Sequence, residues 1–260
     1  MANDLEVLEM RLWFGVFVLL AGLGATMAAD TIPATGGNIT LTPMTHAHVQ
    51  IEFGGKVIHI DPTNQSNLAA SKPADIILVT DIHGDHMDPA AIDKIKKAST
   101  IFIAPNALAG KFPGKTEILK NGETRTIDGV SVQAVAAYNL QRGPAAGQFF
   151  HEKGRGNSYI LTLGGKRLFF SGDTECVPEI KALTKIDVAF VTMNLPYTMP
   201  PTEAADCVKA FKPAVVYPYH YRGMGGPTPE QNQQEFVAAM KGTAGVEVRT
   251  PNFYPAAPGK

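Results

Sequence analysis

The sequence predicts an α/β (α+β) fold in which two mostly antiparallel sheets are flanked by helices. Three observations support this: short apolar runs recur along the chain, several are paired through two-residue turns, and amphipathic helical patterns lie between them. The 260 residues suffice for one large domain with a substantial core, and no linker-like stretch divides the sequence. We therefore expect a single folded domain over residues 30–260.

Three hairpins are predicted where two strand-like runs are separated by only two turn residues. The Gly-Gly and Asp-Gly pairs at these points adopt the positive φ angles that such turns require. The hairpins join residues 49–53 to 56–60, residues 123–127 to 130–137, and residues 158–163 to 166–171. Further short strands are expected at residues 76–79, 100–104, 188–193 and 215–217.

Three helices are predicted from their apolar patterns and from the residues at their starts. The first covers residues 89–97, with Asp88 as its N-cap and Pro89 at the first helical position, where a missing N–H does no harm. The other two cover residues 203–211 and 230–241 and carry their apolar residues on one face. Helices interleaved with hairpins in both halves of the chain indicate two sheets covered by helices.

The N-terminus is predicted to be a signal peptide over residues 1–29. Apolar residues 12–23 follow Arg11 and precede the small residues 24–29, which is the pattern of a signal-peptidase site. The apolar run is too short for a comfortable transmembrane helix, so we expect a periplasmic or secreted domain with no stable membrane anchor. A retained anchor is the alternative. In an exported protein, Cys176 and Cys207 either pair or remain separate thiols.

The charge pattern restricts the classes of partner. The net charge is −1, and the basic residues neither form a block nor alternate with aromatic residues. Nucleic-acid binding therefore has no electrostatic support, and we expect a small-molecule substrate. The sequence leaves the oligomeric state open.

The loop after the apolar run 76–79 is rich in potential metal ligands. These ligands are Asp81, His83, Asp85 and His86. Packing alone does not account for four such side chains directly after a buried strand. Zinc, iron and manganese all accept a mixture of imidazole and carboxylate ligands. The loop therefore predicts a metal centre at the end of this strand.

Two further candidates follow later strands: Asp173 lies in a Gly-Asp-Thr sequence, and His220 lies in a Tyr-His-Tyr sequence. Together with the loop, this order resembles the His-x-His-x-Asp-His signature and the later ligands of the metallo-β-lactamase-fold hydrolases. Asp81 stands where that family usually has His. The likeness is greatest to the branch of ascorbate-phosphate lactonases and phospholipase D-like members, and it implies a four-layer αβ/βα sandwich.

The resemblance also implies two divalent metal ions, with zinc expected first and manganese or iron as alternatives. One ion takes Asp81, His83 and His151, the other takes Asp85, His86 and His220, and Asp173 bridges them. A hydroxide held between the ions would cleave an ester, lactone, amide or phosphodiester bond. By the same resemblance Asp85 is catalytic, because it orients the water and shuttles its proton. Asp81 would make the first site harder and more anionic, which favours manganese or iron, or weakens zinc.

Two alternatives remain beside the hydrolase: a mononuclear iron redox enzyme on the same fold, and a non-catalytic binding protein with a degenerate metal site. The second is motivated by Asp81 and by Asn139, which occupies the slot where the family often has a His. His151 is the favoured ligand there, because imidazole binds these metals better than a carboxamide does.

Several side chains are expected to support the ligands or to line a substrate cleft. They are His46, Tyr138, Asn139, Tyr219 and Arg222. Among them, Arg222 is suited to an anionic group. His59 alternates with apolar neighbours inside a strand and is expected to be structural, as ordinary strand packing predicts.

Overall fold

The computed structural model describes residues 29–254 as two seven-stranded sheets with flanking helices. The first sheet contains, in spatial order, β1 (Asp30–Ala34), β2 (Gly37–Thr45), β3 (His48–Phe53), β4 (Lys56–Ile60), β5 (Ala74–Leu78), β6 (Lys96–Pro105) and β7 (Thr116–Leu119). The second contains β8 (Thr124–Ile127), β9 (Val130–Ala137), β10 (Gly156–Leu163), β11 (Lys166–Phe170), β12 (Val188–Thr192), β13 (Val215–Tyr219) and β14 (Glu247–Val248). The α-helices are α1 (Pro89–Ile95), α2 (Pro178–Lys181), α3 (Pro201–Phe211) and α4 (Pro229–Met240).

Most of the predicted signal peptide lies outside the described residues, since the description begins at residue 29. Within residues 29–254, none of the helices is long and apolar enough to cross a membrane.

The two sheets have the same pairing pattern. In each, the first four strands pair antiparallel and the last four pair parallel, and the fourth strand, β4 or β11, belongs to both halves. The predicted fold of two sheets with flanking helices is confirmed, but the pairing is evenly mixed rather than mostly antiparallel. The reason lies in the connections. Two-residue turns join the antiparallel neighbours except β9 and β10, which are joined by residues 138–155. In contrast, α1, α2, α3 and α4 each lie in a crossover between parallel strands.

The main core lies between the sheets. Buried side chains from both of them, such as Val49 and Ile51 of the first and Val132 and Leu161 of the second, belong to one apolar cluster. A smaller cluster beneath α1 contains Ile77, Ile92 and Phe102. Apolar burial on both faces of the first sheet therefore produces the layered sandwich.

The predicted hairpins and helices are found within a few residues of their expected ends. Asp88 caps α1 by accepting hydrogen bonds from the backbone N–H groups of Ala90 and Ala91. No element was predicted from the sequence at β1, β2, β7, β14 or α2. The last three are too short to show a period.

A disulfide joins Cys176 and Cys207, which decides between the two alternatives left by the sequence. It ties the segment before α2 to α3, and that segment directly follows Asp173.

Candidate metal centre

The proposed ligands converge at one end of the sandwich, although they come from four distant parts of the chain. The loop 81–88 follows β5, Asp173 follows β11, His220 follows β13, and His151 precedes β10. Because β5, β11 and β13 are members of the parallel halves of their sheets, their carboxyl ends present these residues at the same edge.

The first group of ligands consists of Asp81, His83 and His151, whose ligand atoms lie within 4.8 Å of one another. Nδ1 of His83 is 2.8 Å from Oδ2 of Asp81. Asp81 and His151 are buried, whereas the side chain of His83 is 46% exposed. This group therefore opens toward solvent on the side of His83.

The second group consists of His86, Asp173 and His220, all three of which are buried. The Nε2 atoms of the two imidazoles are 3.1 Å apart. Asp85 borders this group, with its Oδ2 at 3.4 Å from Nε2 of His220 and at 3.9 Å from Nε2 of His86.

Asp173 connects the two groups. Its Oδ2 is 3.1 Å from Nε2 of His151 and 3.3 Å from Nε2 of His86, and its Oδ1 is 3.5 Å from Nε2 of His220. Burial raises the pKa of Asp173, but the neighbouring imidazoles outweigh this and hold the pKa well below its usual range. The carboxylate is therefore ionised, and it is placed to contact a cation in either group.

The hydrogen bonds of His151 orient its ring so that Nε2 faces the site. Nδ2 of Asn139 donates to Glu175 and to the carbonyl oxygen of Tyr197, which orients the amide. Oδ1 of Asn139 then accepts from both the backbone N–H and Nδ1 of His151, at 2.7 Å each. Nδ1 of His151 therefore carries a proton, and the ring directs Nε2 toward Asp173.

The residues present therefore fit a metal ion. Nε2 of His151 and Oδ1 of Asp173 are buried and have no hydrogen-bond partner among residues 29–254. Nε2 of His151 and Oδ2 of Asp173, which face each other at 3.1 Å, repel unless a cation or a proton lies between them. A divalent cation is the usual partner of such a donor set.

His86 is oriented by Asp61, a buried carboxylate at the end of β4. Oδ2 of Asp61 accepts from Nδ1 of His86 at 2.8 Å and from the hydroxyl of Thr80 at 2.6 Å. Nε2 of His86 is thereby directed into the second group. Burial lowers the pKa of His86, but Asp173 and Asp61 outweigh it and raise the pKa well above its usual range. The two carboxylates thus favour positive charge at His86. Asp61 takes the role of the outer hydrogen-bond acceptor that usually orients a metal-binding imidazole.

His46 and Asp85 form the other border of the centre. The hydroxyl of Tyr254 lies 2.7 Å from Nδ1 of His46, and Nε2 of His46 lies 3.0 Å from Oδ2 of Asp85. Burial lowers the pKa of His46 to about 4, so the ring is neutral. Its Nδ1 accepts from the hydroxyl of Tyr254, and its Nε2 donates to Asp85. Burial raises the pKa of Asp85, but hydrogen bonds with His220 and His46 outweigh it and hold the pKa well below its usual range.

Arg155 is a member of the site that the sequence reading missed. Its Nε donates to Oδ1 of Asp81 at 3.2 Å, and its terminal nitrogen donates to Oδ2 at 3.1 Å. The guanidinium cancels the charge that Asp81 brings, so the extra anionic character expected for the first site is largely offset. A signal was available in Gly-Arg-Gly-Asn at residues 154–157, which lies only a few residues after His151.

Glu175, also missed, holds the loop that contains Asn139. Its buried carboxylate accepts from the backbone N–H groups of Leu140, Gln141 and Arg142 at 2.8–3.1 Å. It also accepts from Nδ2 of Asn139. Glu175 therefore fixes His151 through Asn139, and it is next to the disulfide-bonded Cys176.

The remaining candidates have different surroundings. The hydroxyl of Tyr219 accepts from the backbone N–H of Gly172 at 2.8 Å, directly before Asp173. Tyr138 donates its hydroxyl to Glu179 of α2, away from the ligands. The guanidinium of Arg222 lies over the ring of Tyr254, 5.1 Å from its centroid, at the exposed rim of the centre.

The backbone is strained where the ligands are presented. His46, Asp61 and His220 have φ values of 62°, 46° and 48°, which lie in the left-handed region. Gly172 has a φ of 59°, and a Cβ atom there would lie 2.7 Å from Cβ of Thr80. Only glycine fits this turn, which places Asp173 next to the loop that follows β5.

Comparisons with known proteins agree with this geometry. The family model described as the beta-lactamase superfamily domain matches residues 40–220. A UPF0173 metal-dependent hydrolase of Pyrococcus abyssi (strain GE5 / Orsay) is 32% identical in a 219-residue alignment that covers 79% of this chain and 94% of the relative. A similar protein of Thermococcus onnurineus (strain NA1) is 33% identical over 68% of this chain and 81% of its own length.

A solved structure is similar as well. The crystal structure of a metal-dependent hydrolase from Parabacteroides distasonis ATCC 8503 has a TM-score of 0.76 and 36% identity, and the match covers 86% of this chain and 98% of that one. The fold, the ligand order and these matches lead to the same conclusion: this chain belongs to the beta-lactamase superfamily and is a metal-dependent hydrolase.

Proposed function

We propose that the protein is an exported hydrolase that uses two divalent metal ions to cleave an ester, lactone, amide or phosphodiester bond. The observation that carries this proposal is the position of Asp173, whose carboxylate lies within 3.5 Å of imidazole nitrogens from both ligand groups. A carboxylate between two sets of inward-facing imidazoles is suited to a pair of cations.

Bound divalent cations would lower the pKa of water and polarise the oxygen of the scissile group. Asp85 is the carboxylate with the most open position, since its side chain is 31% exposed against 3–4% for Asp81 and Asp173. It is therefore placed to accept a proton from the attacking water. The Tyr254 hydroxyl and the neutral His46 ring hold Asp85 in orientation and keep it ionised.

For an ester, the oxygen of water forms a bond to the acyl carbon while the bond from that carbon to the alcohol oxygen breaks. One proton of the water is held by Asp85 and is passed to the departing alcohol, and the other remains with the acid product. No oxidant or reductant is required, which distinguishes this reaction from iron redox chemistry.

The test is metal analysis together with a substrate panel. The purified chain is stripped with a chelator, reconstituted with zinc, manganese or iron(II), and assayed with aryl esters, lactones, anilides and aryl phosphodiesters. We expect two metal ions per chain and hydrolysis that depends on them. Bound mononuclear iron without hydrolysis, or negligible metal after reconstitution, would contradict the proposal and favour a redox enzyme or a binding protein, respectively.

Export is the second part of the proposal. The apolar run before residue 24 motivates it, and the Cys176–Cys207 disulfide supports it, because such bonds persist mainly in oxidising compartments. Mass spectrometry of the protein expressed with its full N-terminus should find a chain cleaved near Ala28 or Ala29 in the periplasm. An intact N-terminus in the cytoplasm would contradict this part alone.

A further inference from the structure

Exposed large apolar side chains are concentrated around the metal centre. Within residues 29–254, six such side chains are exposed: Ile82, Leu140, Phe149, Leu195, Met224 and Val237. The first five lie on the loops that contain or flank the proposed ligands, and only Val237 is elsewhere, on α4. Single exposed apolar residues are ordinary, but a set gathered at one site is typical of a binding surface.

Three of these loops are joined to one another. The backbone N–H of Met224 donates to the carbonyl oxygen of Leu195 at 3.0 Å, and the hydroxyl of Tyr197 donates to Sδ of Met224 at 2.9 Å. The ring of Phe150 packs edge-on against that of Tyr197, with centroids 5.0 Å apart. We call the surface formed by Phe150, Leu195, Tyr197 and Met224 the apolar wall. It begins directly beside Asn139, which donates to the carbonyl oxygen of Tyr197 and orients His151.

A cavity of about 550 Å³ lies in this wall. Much of its lining is apolar and includes Met193, Leu195, Pro196, Pro200 and Met224. Its volume is within the range of pockets that hold small organic ligands.

The charges at this cavity do not favour a phosphate group. Among the described lining residues, Arg142 is the only cation. Its guanidinium forms two hydrogen bonds with Glu203, at 2.7 and 2.9 Å, and lies 3.3 Å from Glu175. The positive charge is therefore already matched by two carboxylates, and Glu235 adds a further acidic side chain to the lining, so the cavity disfavours an anionic group.

We propose that this apolar wall binds the acyl chain or the aromatic acid portion of a carboxylic ester or lactone whose carbonyl lies at the metal centre. The inference rests on the proposed function and narrows its four bond types to acyl substrates with an apolar acid part. The observation behind it is the junction of the 139–151, 194–198 and 222–226 segments into one apolar surface next to His151.

The test measures kcat/KM for p-nitrophenyl acetate, butyrate and octanoate, which share one leaving group and differ only in acyl length. Each methylene that is buried in the wall should raise kcat/KM by about two- to fourfold, so octanoate should exceed acetate by at least tenfold. Leu195→Ser and Met224→Ser should each reduce this ratio severalfold, because each removes apolar surface that a long acyl chain would contact.

Val237→Ser is the matched control, because Val237 is the one exposed large apolar side chain within residues 29–254 that lies away from the ligand loops. An equal effect of all three substitutions, or a kcat/KM that does not depend on acyl length, would overturn the inference and leave the proposed function intact. A preference for bis(p-nitrophenyl) phosphate over every ester would overturn it in the same way. Failure of the metal-loaded protein to hydrolyse any member of the panel would instead remove the proposed function on which the inference rests.

Discussion

Two clusters of buried histidines in this molecule differ in one respect, which is whether their nitrogens find partners within the protein. One cluster is the pair His48 and His59 on β3 and β4, and the other consists of His86, His151 and His220 at the metal centre. All five rings are at most 2% exposed. Burial and residue type therefore do not separate a structural histidine from a ligand, and the hydrogen-bond partners do.

The His48–His59 pair forms a closed chain of hydrogen bonds. Nε2 of His59 donates to the carbonyl oxygen of Lys72 at 2.9 Å, and Nε2 of His48 donates to Nδ1 of His59 at 2.8 Å. Nδ1 of His48 then accepts from the hydroxyl of Ser66 at 2.8 Å. Every nitrogen has a partner with the matching role, so both rings are neutral and no cation is needed.

The rings of the metal centre lack this closure, because Nε2 of His151 and Nδ1 of His220 are buried without a hydrogen-bond partner among residues 29–254. Asp61 and Asn139 accept the outer proton of His86 and of His151, respectively, and turn the inner nitrogens toward Asp173. The comparison predicts that changes at the metal centre act through bound metal, whereas changes at the closed pair act only on folding.

The largest effect is expected for Asp173→Ala. This change removes the carboxylate that contacts both ligand groups, so at least one metal ion should be lost per chain and hydrolysis should become undetectable. Asp93→Ala, which removes an exposed carboxylate of α1, is the control and should retain full metal and activity. Metal content by mass spectrometry and hydrolysis rates are the measurements. Full occupancy with normal turnover in the Asp173 variant would show that Asp173 is not a shared ligand.

The second prediction separates a ligand from its support. His151→Ala should empty the first group while the group of His86, Asp173 and His220 stays filled. Asn139→Ala should weaken the same ion by about 10- to 100-fold without removing it at saturating metal, because Asn139 acts by orienting the ring. Titration of stripped protein with zinc measures both. Loss of metal in the Asn139 variant alone would instead identify Asn139 as the ligand.

The third prediction concerns Asp81, a buried carboxylate. In the metal-free protein its charge is balanced by the guanidinium of Arg155. Arg155→Gln should lower the free energy of unfolding of the metal-free protein by about 2 kcal/mol, since it leaves Asp81 buried with a weaker partner. Added metal should restore much of this loss by neutralising Asp81. Arg125→Gln removes an exposed arginine paired with Glu117 and Glu123 and should change stability by less than about 1 kcal/mol. Equal effects of the two changes in urea unfolding would contradict the assigned role of Arg155.

Periodicity and turn chemistry made most of the fold predictable. Gly54-Gly55, Asp128-Gly129 and Gly164-Gly165 are located at hairpin turns as predicted, because two-residue turns impose a requirement that is visible in the sequence itself. The parallel halves were harder to predict. Which strands lie side by side after a crossover depends on packing between distant segments, and short elements such as β14 show no pattern of their own.

For the metal centre, the sequence identified the side chains that face inward and two that support them, His46 and Asn139, but it did not identify Arg155 or Glu175. Asp81, His83 and His86 are recognisable by spacing on one loop. Arg155 and Glu175 act on residues that are 74 and 33–36 positions away, and no local spacing rule connects such pairs. The closed pair shows the same limit, since Ser66 and the carbonyl oxygen of Lys72 become partners of His48 and His59 only in the folded chain.

The smallest effect is expected from the closed pair and appears as a pH dependence of stability. Burial lowers the pKa of His59 from 6.5 to about 4 and that of His48 well below 6.5, so the unfolded chain binds more protons between these values. The stabilisation is therefore complete above about pH 6.5 and is lost as the pH falls toward 4. His59→Gln removes the titrating ring, while the glutamine amide can still donate to the carbonyl oxygen of Lys72. The slope of the unfolding free energy against pH should therefore decrease by the contribution of about one proton. Urea unfolding of metal-free protein at several pH values measures this slope. An unchanged slope in the variant would mean that His59 is protonated as readily in the folded chain as in the unfolded one.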